Sequence, residues 1–310
     1  MNPVIEIEKL TKQYGRHRAL DQLSMTVPQG SIFGFLGPNG AGKTTALRIL
    51  VGLLRRTKGA ARVLGLDAWK NSTEICSRVG YLPGDVRFPQ HMKGGAFLAM
   101  GNELRGGRSD LEIERLRERL DLDLKRRIRN YSRGMKQKLG LIYAMMHRPE
   151  LLILDEPTTA LDPLVQQLLY AELRAVVADG RTVLFSSHTL GEVEELCNSV
   201  AIIRAGKLIE SSTIDQLKAR ALRRVEFRLK PGKSIDGQTP PPGMGGLAWR
   251  ESRATATWRG DAEQLVSWLS RIGVADVTIG APDLEDLFSD YYRANDAVAL
   301  DSAAMESFRS

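Results

Sequence analysis

Apolar and polar positions change period several times along the chain, and each change predicts an element. Residues 4–10 alternate apolar and polar side chains as a half-buried strand does, and residues 20–27 repeat the pattern before a Pro28-Gln29-Gly30 turn. These two runs predict an antiparallel leading sheet. Residues 31–36 form a short apolar strand that leads straight into a glycine-rich loop, and residues 45–54 follow with helical character. From about residue 72 to residue 130 the pattern is mostly helical. Leu111, Leu116 and Leu120 lie on one amphipathic face, and Gly94-Gly95 and Gly106-Gly107 interrupt the run. Together with the apolar stretch 139–146, this marks a helical insert over about 72–145.

Two β-rich runs, 151–154 and 182–186, flank a helical stretch over 163–178, which is the rhythm of a parallel α/β sheet. A main domain over residues 1–217 follows from this pattern. Beyond it, residues 225–229, 247–251 and 255–259 read as strands, with Pro240-Pro241-Pro242-Gly243 as an exposed loop. A helix over 261–272, a strand over 274–279 and a helix over 283–292 complete a small α+β domain over 218–294. The Ala/Ser-rich residues 295–310 are expected to form a flexible tail.

Composition narrows the class. Of 310 residues, 43% are hydrophobic and 26% charged, an ordinary globular balance that excludes fibrous and disordered chains. No apolar run approaches the roughly 20 residues that span a bilayer. The first residues lack both a basic stretch and an apolar one, so no secretory signal is expected and the chain is placed in the cytosol. Cys76 and Cys197 have no partner pattern, which suits a reducing compartment, and both read as small core residues. The formal net charge of +7 attracts polyanions, whether nucleic acid, anionic lipid or nucleotide phosphates. Charge alone does not choose among them. The basic residues over 105–138 are interleaved with Glu112, Glu114, Glu118, Asp121 and Asp123, as on solvated helix faces.

Candidate chemistry is concentrated in two places. Gly37-Pro38-Asn39-Gly40-Ala41-Gly42-Lys43-Thr44 fits the phosphate-loop pattern, placed after a strand and before a helix. Its glycines let successive backbone N–H groups turn toward a β-phosphate, and the following helix, entered through Thr45, aims its positive end there. Lys43 reaches the β and γ oxygens, and the Thr44 hydroxyl ligates Mg²⁺. The run Leu151-Leu152-Ile153-Leu154 ends abruptly in Asp155-Glu156, and a buried strand that ends in carboxylates needs a partner for the charge. Mg²⁺ held by Asp155 is that partner, and Glu156 is placed to orient and polarise the water that attacks a γ-phosphate.

With these motifs in this order, residues 4–217 resemble the ABC transporter ATPase family. Tyr131-Ser132-Arg133-Gly134-Met135-Lys136 is similar to the family signature, in which serine and glycine face the γ-phosphate of an ATP held by the opposite subunit. Ser132 and Gly134 keep that pattern, whereas Tyr131, Arg133 and Met135 depart from its commonest form. Ala160-Leu161-Asp162 resembles the family's dimer-contacting loop, and His188 resembles its switch histidine at the γ-phosphate. Tyr14, 29 residues before Lys43, resembles the aromatic that stacks on adenine. One departure concerns Gly84: the family usually carries a glutamine there that touches Mg²⁺ and the attacking water. Asp85, Gln90 or water are the candidates to replace it.

The resemblance implies an α/β fold: a P-loop NTPase core with an ABC-type antiparallel β subdomain and a helical insert, followed by the small C-terminal α+β domain. It also implies ATP and Mg²⁺ as cofactors. Two such subunits, alike or different, sandwich two ATP molecules and drive separate transmembrane permease subunits from the cytoplasmic face of a bacterial membrane. The C-terminal segment ending in Asp283-Leu284-Glu285-Asp286-Leu287-Phe288 resembles the extension of ATPases serving ABC-2 type drug, antibiotic or polysaccharide exporters. A second reading is a soluble ABC ATPase acting on ribosomes or nucleic acid. A single cassette without heptads argues against nucleic acid as the partner.

Overall fold

A computed structural model of the chain describes residues 3–235, 237–250, 253–284 and Phe288. It divides into two compact units, Met1–Ile214 and Asp215–Ser310.

The first unit holds two sheets. Strands β1 (Pro3–Tyr14) and β2 (His17–Pro28) pair antiparallel, so the expected leading sheet is present. It is completed by β4 (Lys58–Val63) and β5 (Leu66–Asp67) in the order β2-β1-β4-β5. The second sheet is built around β3 (Ile32–Leu36), whose five residues are all buried, as in a strand covered on both faces. After it comes α1 (Lys43–Leu50). This helix starts two residues earlier and stops four residues earlier than the pattern predicts. It stops because Gly52 takes a left-handed φ of 71° and its N–H turns back to Ile49 O.

Next come α2 (Ser72–Arg78), β6 (Val79–Leu82), α3 (Gly94–Leu104), α4 (Asp110–Arg119) and α5 (Arg133–Met145). The stretch expected to be helical over about 72–145 therefore contains a strand. β6 pairs parallel with β7 (Leu151–Asp155) and forms one edge of the core sheet, with only four residues to reveal its period. α6 (Pro163–Ala178), β8 (Thr182–Ser187), α7 (Leu190–Leu196), β9 (Ser199–Arg204) and β10 (Lys207–Thr213) complete the unit. The sheet order is β10-β9-β3-β8-β7-β6, with β10 antiparallel to β9 and every other pair parallel. Apolar side chains from both sheets and α1 share one buried cluster, including Ile5, Leu47, Ile153 and Leu184. Cys197 is buried as expected, but Cys76 is exposed on α2, a short helix that buries only Ile75.

The second unit opens with α8 (Ile214–Arg220). It continues with β11 (Leu222–Leu229), β12 (Met244–Arg250), β13 (Arg253–Trp258), α9 (Ala262–Ile272) and β14 (Val274–Asp283). Its antiparallel sheet runs β12-β13-β11-β14. α9 begins at Asp261, whose carboxylate accepts from Glu263 N, and packs Leu265, Trp268, Leu269 and Ile272 onto Val225, Phe227 and Trp258. The expected helix over 283–292 lies mostly outside the described residues, and the expected tail wholly so.

Candidate functional site

The parallel strands β3, β7 and β8 end side by side, so the loops that leave them meet at one edge of the sheet, where open α/β sheets collect their ligands. The loop after β3 carries Gly37 to Gly42, and Gly42, with φ 106°, turns the chain into α1. Only glycine adopts that angle without strain. Lys43 is 5% exposed. Its ammonium donates to Gly37 O at 2.6 Å and Pro38 O at 3.3 Å, and lies 3.4 Å from Glu156 Oε1. One residue on, the Thr44 hydroxyl donates to Asp155 Oδ2 at 2.7 Å.

Asp155, the last residue of β7, is 1% exposed. Its second oxygen, Oδ1, accepts from the Ser186 hydroxyl on β8 at 2.8 Å, and Ser186 Oγ in turn accepts from Glu156 N at 3.0 Å. Glu156 has left-handed backbone, φ 49°, with its carboxylate between Lys43 and His188, whose Nδ1 is 3.2 Å from Oε2. The fold brings together Lys43, Thr44, Asp155, Glu156 and His188, the five residues the sequence singles out as candidates. Ser186, a fully buried hydroxyl at the end of an apolar strand, is not among them. The signal was available in the run Ser186-Ser187-His188.

A cleft of about 280 Å³ opens over this cluster, lined by Tyr14, His17, Ala19, Glu156 and each residue from Pro38 to Thr45. Tyr14 stands at its rim, half exposed, with Lys12 Nζ 4.9 Å above its ring. A larger cleft of about 620 Å³ is bounded by Arg78, Glu150, Arg181 and Thr182, at the opposite ends of the same strands. The chemistry belongs to the smaller one.

The signature residues lie at the start of α5. The Ser132 hydroxyl accepts from Met135 N and caps the helix, and exposed Arg133 follows it. Gly134 packs against the loop after Glu156: a Cβ there would stand 2.6 Å from Ala160 O. Tyr131, which departs from the commonest pattern, packs beside Gly94 of α3, its hydroxyl donating to Asp123 O at 2.6 Å. Asp162 accepts from Val165 N and caps α6.

Backbone rather than a side chain borders Asp155 at Gly84, where a Cβ would meet Asp155 Oδ2 at 3.3 Å. Of the candidates to replace the missing glutamine, Asp85 pairs with Arg87 in solvent and Gln90 folds back onto Phe88 O. Close by on β6, burial first and then the charge of Asp155 push the Tyr81 hydroxyl up to about 12.

A phosphate loop at a helix N-terminus, facing the strand two places along the sheet that ends in Asp155 and leads into Glu156, defines a P-loop ATPase. The signature-capped helix and the antiparallel sheet specify the branch, and the chain belongs to the ABC transporter family. The family model described as ABC transporter matches residues 20–159. The bacitracin transport ATP-binding protein of Bacillus licheniformis is 38% identical over 232 residues, covering 74% of this chain and 76% of its own. The daunorubicin resistance ATP-binding protein of Streptomyces coeruleorubidus is 36% identical over 220 residues, covering 69% and 70%. A solved ATP-binding subunit of an ABC transporter superposes with a TM-score of 0.65 at 27% identity, over 70% of this chain and 92% of that one. The chain binds and hydrolyses ATP in the service of a transporter. Among the described residues no helix is long and apolar enough to cross a membrane.

Proposed function

We propose that this chain is the motor subunit of an exporter for drug-like or antibiotic molecules, working as one of a pair that closes around two ATP. The observation that carries the catalytic part is the convergence of Lys43 and His188 on the two carboxylate oxygens of Glu156, at 3.4 and 3.2 Å, beside the phosphate loop. In this reading the Pro38 to Thr45 backbone and Lys43 cradle the phosphates, and Tyr14 supports the base. Glu156 holds the attacking water and accepts its proton, while His188 fixes the Glu156 carboxylate and meets the γ-phosphate.

Thr44 and Asp155 fit Mg²⁺: a hydroxyl and a buried carboxylate 2.7 Å apart are hard oxygen donors at a strand end. When bound, Mg²⁺ neutralises developing phosphate charge.

Ser132 and Gly134, at a capped helix N-terminus, suit the γ-phosphate of a nucleotide on a partner subunit, alike or different, and Asp162 suits the contact between the two. The names of the relatives support drug or antibiotic efflux. An apolar cleft of about 320 Å³ between α1, β6 and α5, lined by Leu53, Val79, Tyr81 and Tyr143, suits a cytoplasmic segment of a separate permease. Leu53 is 65% exposed there. The chain then works at the cytoplasmic face of the membrane, and nucleic acid has no part in it.

Glu156→Gln is expected to abolish steady-state hydrolysis while ATP still drives dimerisation in size-exclusion chromatography. Unchanged turnover would refute the role of that carboxylate.

A further inference from the structure

Gln137 lies on α5, one turn beyond Gly134, and is 4% exposed. Its side-chain amide crosses to the loop after β7, where Nε2 donates to Pro157 O at 3.0 Å and to Glu156 O at 3.4 Å. The peptide on the other side of Glu156 is held as well, since Glu156 N donates to Ser186 Oγ at 3.0 Å. Between these two clamps the backbone of Glu156 is left-handed, at φ 49°. A residue with a Cβ avoids that region, and the following Pro157 disfavours helical backbone further. Such a conformation persists only where its surroundings enforce it.

The same helix touches the loop a second time, where Gly134 packs under Ala160 O. α5 therefore contacts the segment 156–160 at both ends, through Gln137 at its start and Gly134 at its finish. The N-terminus of α5 also carries Ser132.

We infer that Gln137 is a positioning residue that ties the orientation of Glu156 to the signature helix of the same subunit. This inference rests on the paired-subunit reading above. Seating of the partner's nucleotide on the N-terminus of α5 sets where the helix lies. Gln137 passes that placement to the carbonyls of Glu156 and Pro157, and so to the carboxylate in this subunit's own site. Each site is thereby informed of the other's occupancy through one amide.

The test uses the full chain carrying Gln137→Met, which keeps the side chain's length and volume but removes the donor. Turnover is expected to fall about tenfold or more, while ATP affinity, measured with a fluorescent ATP analogue, stays within about twofold and ATP-driven dimerisation persists. Turnover that is unchanged, or that falls together with ATP affinity and thermal stability, would overturn the inference.

Direction is tested in differently tagged mixed dimers. In the first, a Gln137→Met subunit is paired with a Glu156→Gln subunit, so the one working carboxylate has lost its own clamp. In the second, a subunit carrying both changes is paired with wild type, so the working carboxylate keeps its clamp. The second is expected to turn over faster, and equal or reversed rates overturn the inference. If Glu156→Gln alone leaves turnover intact, the paired-subunit chemistry itself has failed; if it abolishes turnover and Gln137→Met does not lower it, only this inference has.

Discussion

Adding a single methyl group at Gly134 should separate catalysis from stability. In Gly134→Ala the new Cβ would stand 2.6 Å from the carbonyl oxygen of Ala160, and a backbone atom cannot swing aside as a side-chain tip can. Either α5 or the loop over 156–160 must yield by roughly half an ångström or more, at a cost of about 1–3 kcal/mol for overpacking. Against this, alanine is better than glycine inside a helix by about 1 kcal/mol. The net loss is therefore about 0–2 kcal/mol, a shift of a few degrees in a melt of a unit this large. Catalysis is more sensitive, because the displaced atoms are those that carry Ser132 and back Glu156, and misplacement by about 1 Å costs up to about 100-fold. Turnover should fall about 10- to 100-fold in a coupled ATPase assay while the melting temperature moves little. Gly95→Ala is the control: its Cβ would meet only Leu124, at an ordinary 3.5 Å, and turnover should hold. Gly134→Ala turnover within about twofold of wild type would refute the reasoning.

Two further predictions concern the scaffold. Burial first, and then the charge of Arg105, hold His147 down at about 4, from an ordinary value of 6.5. Between those values the unfolded chain binds a proton that the folded chain refuses, so stability falls as pH drops from about 6.5 toward 4, by about 2–3 kcal/mol allowing for partial exposure. The slope of melting temperature against pH in that window should flatten in His147→Gln; an unchanged slope would exclude the assignment. Glu172 on α6 is buried and binds Arg119 Nε at 3.0 Å and Arg115 Nη2 at 2.8 Å, both from α4. In Glu172→Gln the arginines, being half exposed, recover some hydration, so the cost should be about 1–3 kcal/mol rather than the full penalty of a broken buried pair. Urea titration should show an earlier midpoint, and an unmoved midpoint would mean that the pair contributes nothing.

Local chemistry was legible in the sequence wherever a few adjacent residues carry it. The phosphate loop announces itself because glycine spacing, a lysine and a hydroxyl must all occur within one turn, and Asp155-Glu156 stand out because carboxylates end an otherwise apolar strand. What escaped depends on pairing at a distance. β4, Lys58-Gly59-Ala60-Ala61-Arg62-Val63, is dominated by small residues that favour no strand, and it forms one because β1 lies beside it. β6 is too short to show a period and is held by β7. β9 and β10 turn at Ala205-Gly206, where both residues are left-handed, and the alanine at the first of these positions hides a turn that Asn or Gly would have announced. Ser186 and Gln137 are 30 and 19 residues from Glu156 in the chain, and nothing in their immediate neighbours shows that both converge on it.

That convergence explains why Glu156 can occupy a backbone region its side chain disfavours. Left-handed backbone at a residue followed by proline costs about 1–3 kcal/mol. Three hydrogen bonds oppose it, one from Glu156 N to Ser186 and two from Gln137, each with a net contribution of about 1 kcal/mol. The two sides nearly balance, so the turn is secure only while all three bonds are made. Neither Ser186 nor Gln137 adds apolar surface to the buried cluster that holds the unit together. Removing one clamp therefore should not unfold the protein. It lets the turn relax toward ordinary backbone, and the first thing to move is a carboxylate that now stands 3.4 Å from Lys43 and 3.2 Å from His188. Strain balanced this closely makes the position of Glu156 responsive to small displacements of β8 or α5, the two elements that hold it.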